Sequence, residues 1–214
     1  PHTHWIRTFS CTDGHEAAPR IAREFALKTM VGIDLGTDSV RNNQELSAGI
    51  GVGRAGYADI LAVGNEVLLR GDLTEEQLLA HIARVRAAVP DVAIGYVDAY
   101  FLFEKHPKVA AVCDVLLINC YPFWEYCPWE YSLAHMQSMH ARIEQLAGDK
   151  PIVISETGWP SAGSPYGAAY PGVDQARDYF INTYRWAQAD GIDVVYFAAF
   201  DEAWKTDDEG DVGS

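Results

Sequence analysis

The chain has 214 residues, 49% hydrophobic and 12% aromatic, and carries a formal net charge of −14. That length and apolar content predict a single domain over residues 1–214, with no composition shift or linker to divide it. So acidic a surface repels phosphate backbones and anionic lipid, and no apolar run nears the roughly 20 residues that span a bilayer, so nucleic acid and membrane insertion are set aside in favour of a neutral substrate.

Apolar runs of strand length recur along the chain, separated by helical or loop segments. The first, "HWIRTFS", carries Arg7, and "KTMVGIDLG" follows it. Next comes "GVGRAG", Gly51–Gly56, which matches the dinucleotide pattern G-x-G-x-x-G in its letters. A phosphate-binding loop needs a strand before it and a helix after it, whereas these glycines follow a helical segment and precede a strand. A glycine-softened helix end is the better reading.

The third run, "ADILAVGNEV", ends in Asn65 and Glu66. Beyond the loop containing "RGD", Thr74-Glu75-Glu76-Gln77 forms a capping box. A helix follows with Leu78, Leu79, Ile82, Val85 and Val89 on one face, and Pro90 stops it. "VAIGYVDAY" brings Asp98 to the end of the fourth run. The fifth, "CDVLLINCYPF", leads through Asn119 and Tyr121 into Phe123 and Trp124.

The sixth run, "PIVISETGW", delivers Glu156 and then Trp159. A helix from about Asp174 carries Ala176, Phe180, Thr183 and Ala187 on one face and ends at Gly191. The seventh run, "DVVYFAAFDEAW", presents Asp201, Glu202 and Trp204, with Lys205 just after. The tail "TDDEGDVG" lacks the alternating ligand spacing of a calcium loop, and His2 and His4 lack partners at metal-ligand spacing. No metal or cofactor is expected. Cys11 and Cys113 read as small hydrophobes, while Cys120 and Cys127 flank "YPFWEY" and either close a short loop or remain thiols.

These runs are continuously apolar rather than alternating, as parallel strands covered on both faces require. Alternation with helices makes the fold α/β, either an open doubly wound sheet or a (β/α)8 TIM barrel. Polar residues at the end of nearly every run favour the barrel, since its mouth collects residues from many strand ends whereas an open sheet has one switch point. A barrel of this kind usually needs about 250 residues, so an incomplete one is expected.

Glu66 and Glu156 share one setting, each placed rigidly at the end of an apolar strand. Paired carboxylates cleave a glycosidic bond when one, protonated, donates to the leaving oxygen and the other, ionised, attacks the anomeric carbon. Trp159, Trp124, Phe123, Tyr121 and Trp204 supply flat faces suited to pyranose rings, with core packing as the alternative for each. Asn65 is placed to bond a sugar 2-hydroxyl, and Tyr121 and Arg7 to orient Glu156.

"VISETGWPSAG" resembles the signature of glycoside hydrolase family 17, the β-1,3-glucanases and (1,3;1,4)-β-glucanases, and "VGNEV" resembles that family's acid/base strand. "IRTFS", "INCYPFW" and "YFAAFDEAWK" extend the resemblance along essentially the whole chain, in the style of the microbial branch. The resemblance implies Glu66 as general acid/base after the fourth barrel strand and Glu156 as nucleophile after the seventh, with retention of configuration. It also implies roles in the catalytic centre for Asn65, Tyr121, Glu202 and Lys205. Relative to that family, the chain is expected to lack the first β-strand and helix and the last helix.

The leading expectation is thus a retaining β-glucan hydrolase with a polysaccharide or oligosaccharide substrate, acting as a monomer. Its substrate favours an extracellular, periplasmic or cell-envelope setting. A β-1,3-glucanosyltransferase would use the same residues, and a non-catalytic glucan-binding fragment is the alternative of another class.

Overall fold

Runs of Val, Ile and Leu favour pleated backbone, and a run unbroken by polar residues needs cover on both faces. The computed structural model describes residues 3–198, and each of the seven expected strands within them is present. The strands lie in one sheet in chain order, β1 to β7. The chain packs as two units.

The first unit comprises residues up to Leu117 together with Leu146–Pro151. It contains β1 (Trp5–Thr8), β2 (Lys28–Ile33), β3 (Ile60–Asn65) and β4 (Ala93–Ala99), which pair parallel in that order. Parallel neighbours require crossovers, supplied by α1 (Ala17–Glu24), α2 (Ser39–Arg54) and α3 (Glu75–Ala88). Short helices α4 (Tyr100–Lys105) and α5 (Pro107–Val112) follow β4. The sequence then enters β5 (Val115–Asn119), with Asp114 N donating to Ile94 O at 2.8 Å just before it.

The starts of α2 and α3 are chemically marked. Asp38 caps α2 by accepting from the amides of Val40 and Arg41. The expected capping box opens α3: Thr74 Oγ1 accepts from Gln77 N at 3.3 Å, and Gln77 Oε1 accepts from Thr74 N at 2.8 Å. Leu78, Ile82 and Val85 are buried, as the predicted stripe requires. Gly51 and Gly53 lie inside α2 and Gly56 in the turn beyond it, so "GVGRAG" is a helix end.

The second unit comprises Ile118–Gln145 and the residues from Ile152 on. It holds the end of β5, most of α6 (Ser132–Ala147), β6 (Ile152–Thr157), α7 (Val173–Asp190) and β7 (Asp193–Tyr196). β6 and β7 pair parallel, and Cys120 N donates to Glu156 O at 2.9 Å. Gly191 closes α7 at φ 69°, a left-handed conformation that costs glycine little.

One expectation is corrected here and one open alternative is decided. The buried face of α7 is Tyr179, Thr183, Trp186 and Ala187, and Phe180 is 46% exposed. Tyr179 turns the helix inward, since its hydroxyl meets Thr157 Oγ1 at 2.7 Å and its ring packs on Trp159. All four cysteines are buried free thiols, so Cys120 and Cys127 close no loop. Cys127 Sγ instead donates to Pro128 O at 3.4 Å.

Candidate active site

In the first unit, the end of β3 is irregular in a definite way. Its register with β4 shifts between Ala62 and Asn65, and Gly64 sits at φ 89°. Such a bulge re-aims the side chains that follow it. Asn65 ends the strand, and its Oδ1 accepts from Arg7 Nη2 at 2.8 Å. That bond decides which way the amide faces: the oxygen meets the guanidinium, and Nδ2 remains as donor toward an oxygen acceptor.

Glu66 follows at φ 54°, left-handed backbone that costs a non-glycine residue roughly 1–2 kcal/mol. Such outliers persist where the surroundings over-determine them. Glu66 N donates to Val97 O at 2.8 Å, and Glu66 O accepts from Arg70 N at 2.9 Å. The turn closes on itself when Asp72 N donates to Val67 O at 2.9 Å.

Two buried side chains of β4 bind that turn. Tyr96 Oη accepts from Leu68 N at 3.0 Å, and Asp98 Oδ2 accepts from Leu69 N at 3.3 Å. Tyr96 Oη also donates to Asp98 Oδ2, while Asp98 Oδ1 accepts from Ala99 N at 2.8 Å. Burial raises the Asp98 carboxyl above its ordinary range, against the hydrogen bonds that lower it.

A second buried carboxylate secures the loops after β1 and β2. Glu45 on α2 accepts from Ser10 Oγ at 2.6 Å, Cys11 N at 2.9 Å and Asp34 N at 3.1 Å, and also from Thr12 Oγ1. Burial alone would raise its pKa. The hydrogen bonds from Ser10, Thr12, Cys11 and Asp34 outweigh burial and hold it below the ordinary value.

In the second unit, Glu156 lies within β6 and is 8% exposed, so its strand does not carry it out to solvent. Tyr121 Oη donates to Glu156 Oε2 at 2.9 Å. Both neighbours are pinned: Ser155 Oγ donates to Asn119 Oδ1 at 2.9 Å, and Thr157 pairs with Tyr179. Next in sequence is Gly158, where a Cβ would collide with Phe197 O.

Trp159 is 6% exposed, its Nε1 donating to Tyr170 O at 3.0 Å and its ring meeting Phe123 and Tyr179. It therefore backs the site as packing. Trp124 is half-buried and meets Tyr166 edge-on, and Tyr166 stacks on Tyr126 with centroids 4.5 Å apart. Glu202, Trp204 and Lys205 lie outside the described residues.

Sequence reading placed Arg7, Asn65, Glu66, Tyr121 and Glu156 near strand ends, where they occur. It missed the roles of Tyr96, Asp98 and Glu45. The alternation Tyr96-Val97-Asp98 held a signal, since residues two apart share one face of a strand. Glu45 carried none, because its four donors come from loops 11 to 35 residues away. Among the described residues, no group of three or more His, Cys, Asp and Glu could hold a metal ion, and no helix is long and apolar enough to cross a membrane.

Each unit thus carries a glutamate at the C-terminal end of a parallel strand, Glu66 just after β3 and Glu156 on β6, the placement that functional residues take in the (β/α)8-barrel class. The chain belongs to the family described as "BtgE/BtgC glycoside hydrolase domain", whose model matches residues 1–214, within glycoside hydrolase family 17. A glucan 1,3-beta-glucosidase of Arthroderma benhamiae is 34% identical over 173 residues, covering 74% of this chain and 56% of that protein. The chain thus spans little more than half the length of that relative.

Among solved structures, the family 17 beta-1,3-glucanosyltransferase of Rhizomucor miehei is 26% identical with a TM-score of 0.89, covering 99% of this chain and 80% of its own. An active-site mutant of the Rhizomucor miehei beta-1,3-glucanosyltransferase, in complex with laminaritriose, gives 26% identity and a TM-score of 0.87, covering 95% and 78%. The fold is therefore that of the family's TIM barrel.

Proposed function

We propose that the chain is a catalytic domain acting on β-1,3-glucan or mixed-linkage β-glucan with retention of configuration, Glu66 as general acid/base and Glu156 as nucleophile. Glu156 carries the reading: a carboxylate buried on β6, fixed through both neighbours and bonded by Tyr121, in a chain of a glycoside hydrolase family.

The chemistry follows from those roles. A Glu156 oxygen attacks the anomeric carbon as the C1–O bond breaks, and Glu66 gives its proton to the departing oxygen. Glu66, now ionised, takes a proton from water, whose oxygen then displaces Glu156 and restores the first configuration. Asn65, its amide set by Arg7, donates from Nδ2 to a sugar hydroxyl near the reacting carbon. Trp124 lines the saccharide's path, Trp159 supports it from behind, and Glu202 and Lys205 complete the centre as the family resemblance implies. The same proposal takes the chain to act as a monomer and as one catalytic domain. A polymeric glucan substrate favours an extracellular or cell-envelope setting.

A second reading rests on the Rhizomucor miehei structures, which belong to a glucanosyltransferase. A sugar hydroxyl would replace water in the second step, using the same residues. Incubation with laminarin and laminari-oligosaccharides, followed by product analysis beside Glu156→Gln, tests both. Short products from the parent alone support hydrolysis, and products longer than the substrate support transfer. A folded Glu156→Gln variant that retains activity would refute the nucleophile assignment.

A further inference from the structure

We propose that Asp98, with Tyr96, is a positioning residue for the proton donor, fixing the direction of the Glu66 carboxyl by clamping the turn that follows it. This deepens the function proposed above and rests on Glu66 as general acid/base.

Glu66 leaves β3 in left-handed backbone, a conformation that persists only where the chain on either side is held. On the N-terminal side, Glu66 N is bonded to Val97 O of β4. On the C-terminal side, the next amides held from outside the turn belong to Leu68 and Leu69, bonded by Tyr96 and Asp98 of the same strand. Strand β4 thus grips the turn before and after Glu66.

The pair is poorly explained as mere core. Tyr96 and Asp98 are both buried, and an ionisable group there costs stability unless its bonds are needed. The named bonds of Asp98 are spent locally: Oδ2 serves Tyr96 and Leu69, and Oδ1 serves Ala99. Nothing in the proposed reaction uses Asp98 directly. With the clamp released, the turn can relax toward negative φ and swing the Glu66 carboxyl away from the leaving oxygen.

Asp98→Asn preserves shape but breaks the pattern. Its amide nitrogen must face either Leu69 N–H or Ala99 N–H, leaving one buried donor without an acceptor. Tyr96→Phe removes the hydroxyl between Leu68 and Asp98 with little change in volume, and carries the test if Asp98→Asn does not fold.

The discriminating measurement compares kcat/KM on two leaving groups, with thermal midpoints to confirm folding. Laminari-oligosaccharides leave as sugar alkoxides and need the proton, whereas a 2,4-dinitrophenyl β-laminaribioside leaves without one. The expected result is a loss of about 100-fold on the oligosaccharide, the order expected of a misplacement near 1 Å, and unchanged kcat/KM on the dinitrophenyl substrate. Equal losses on both substrates, or none on either, in a folded Tyr96→Phe variant overturn the proposal. Glu66→Gln run in parallel separates the levels: without the same leaving-group selectivity, Glu66 is not the proton donor and both readings fall. If Glu66→Gln shows the selectivity and the clamp variants do not, only the positioning role falls.

Discussion

At the scale of single residues, position is set by what each polar atom is bonded to. Tyr121 Oη donates to Glu156 Oε2 at 2.9 Å, a bond between a neutral hydroxyl and a carboxylate. Hydrogen bonds to charged groups contribute about 1.5–3 kcal/mol, so Tyr121→Phe is expected to lower kcat on laminarin by roughly 10- to 100-fold. Tyr121 is half-buried and its ring is kept, so the variant should fold, with a thermal midpoint lowered by the several degrees that loss of such a bond costs. Steady-state kinetics beside a melting curve check this, and an unchanged kcat would deny the bond a catalytic share. Trp159 shows how residue type can mislead. The residue invites a stacking role in "ETGWP", yet Phe123, Tyr179 and the Tyr170 carbonyl occupy it. Its ring faces were assigned by partners 11 to 36 residues away, which no local pattern encodes.

At the scale of elements, sequence legibility follows the range of the interaction. The α3 capping box was readable because its partners are three residues apart, and the strands were readable because continuous apolar runs need cover on both faces. The face of α7 was not, since Tyr179 rather than Phe180 turns inward to meet Thr157 on another element. Glu45 is the extreme case, one helix carboxylate joining the loops after β1 and β2. Its folded pKa is depressed, so its contribution is present above its unfolded value near 4.5 and is lost as pH falls through the lower folded value. Glu45→Gln should therefore destabilise the chain by about 2–4 kcal/mol at neutral pH, by loss of charged bonds and an unsatisfied buried group. The difference from wild type should shrink below pH 4.5, as the wild-type carboxyl also protonates. Denaturant unfolding across pH 3–7 measures it, and a gap that stays constant with pH would reject the charge-based account.

At the scale of the whole molecule, charge shapes what approaches. A net charge of −14 disfavours anionic polymers while leaving neutral glucan unaffected. KM for carboxymethylated β-1,3-glucan should fall as salt rises from low to physiological levels, whereas KM for laminarin should stay flat. A parallel response of both substrates would place the effect elsewhere than in long-range repulsion.

The sequence by itself determined the strands, their parallel alternation with helices, the α3 cap and the two carboxylates at strand ends. Those features depend on neighbours within a few residues or on a simple need for cover. Only the tertiary structure decided the left-handed backbone at Glu66, the grip of Tyr96 and Asp98 on its turn, the Arg7–Asn65 bond and the closure around Trp159. Each joins groups from separate elements, and a buried polar group is stable only when folding brings its partner within hydrogen-bond reach.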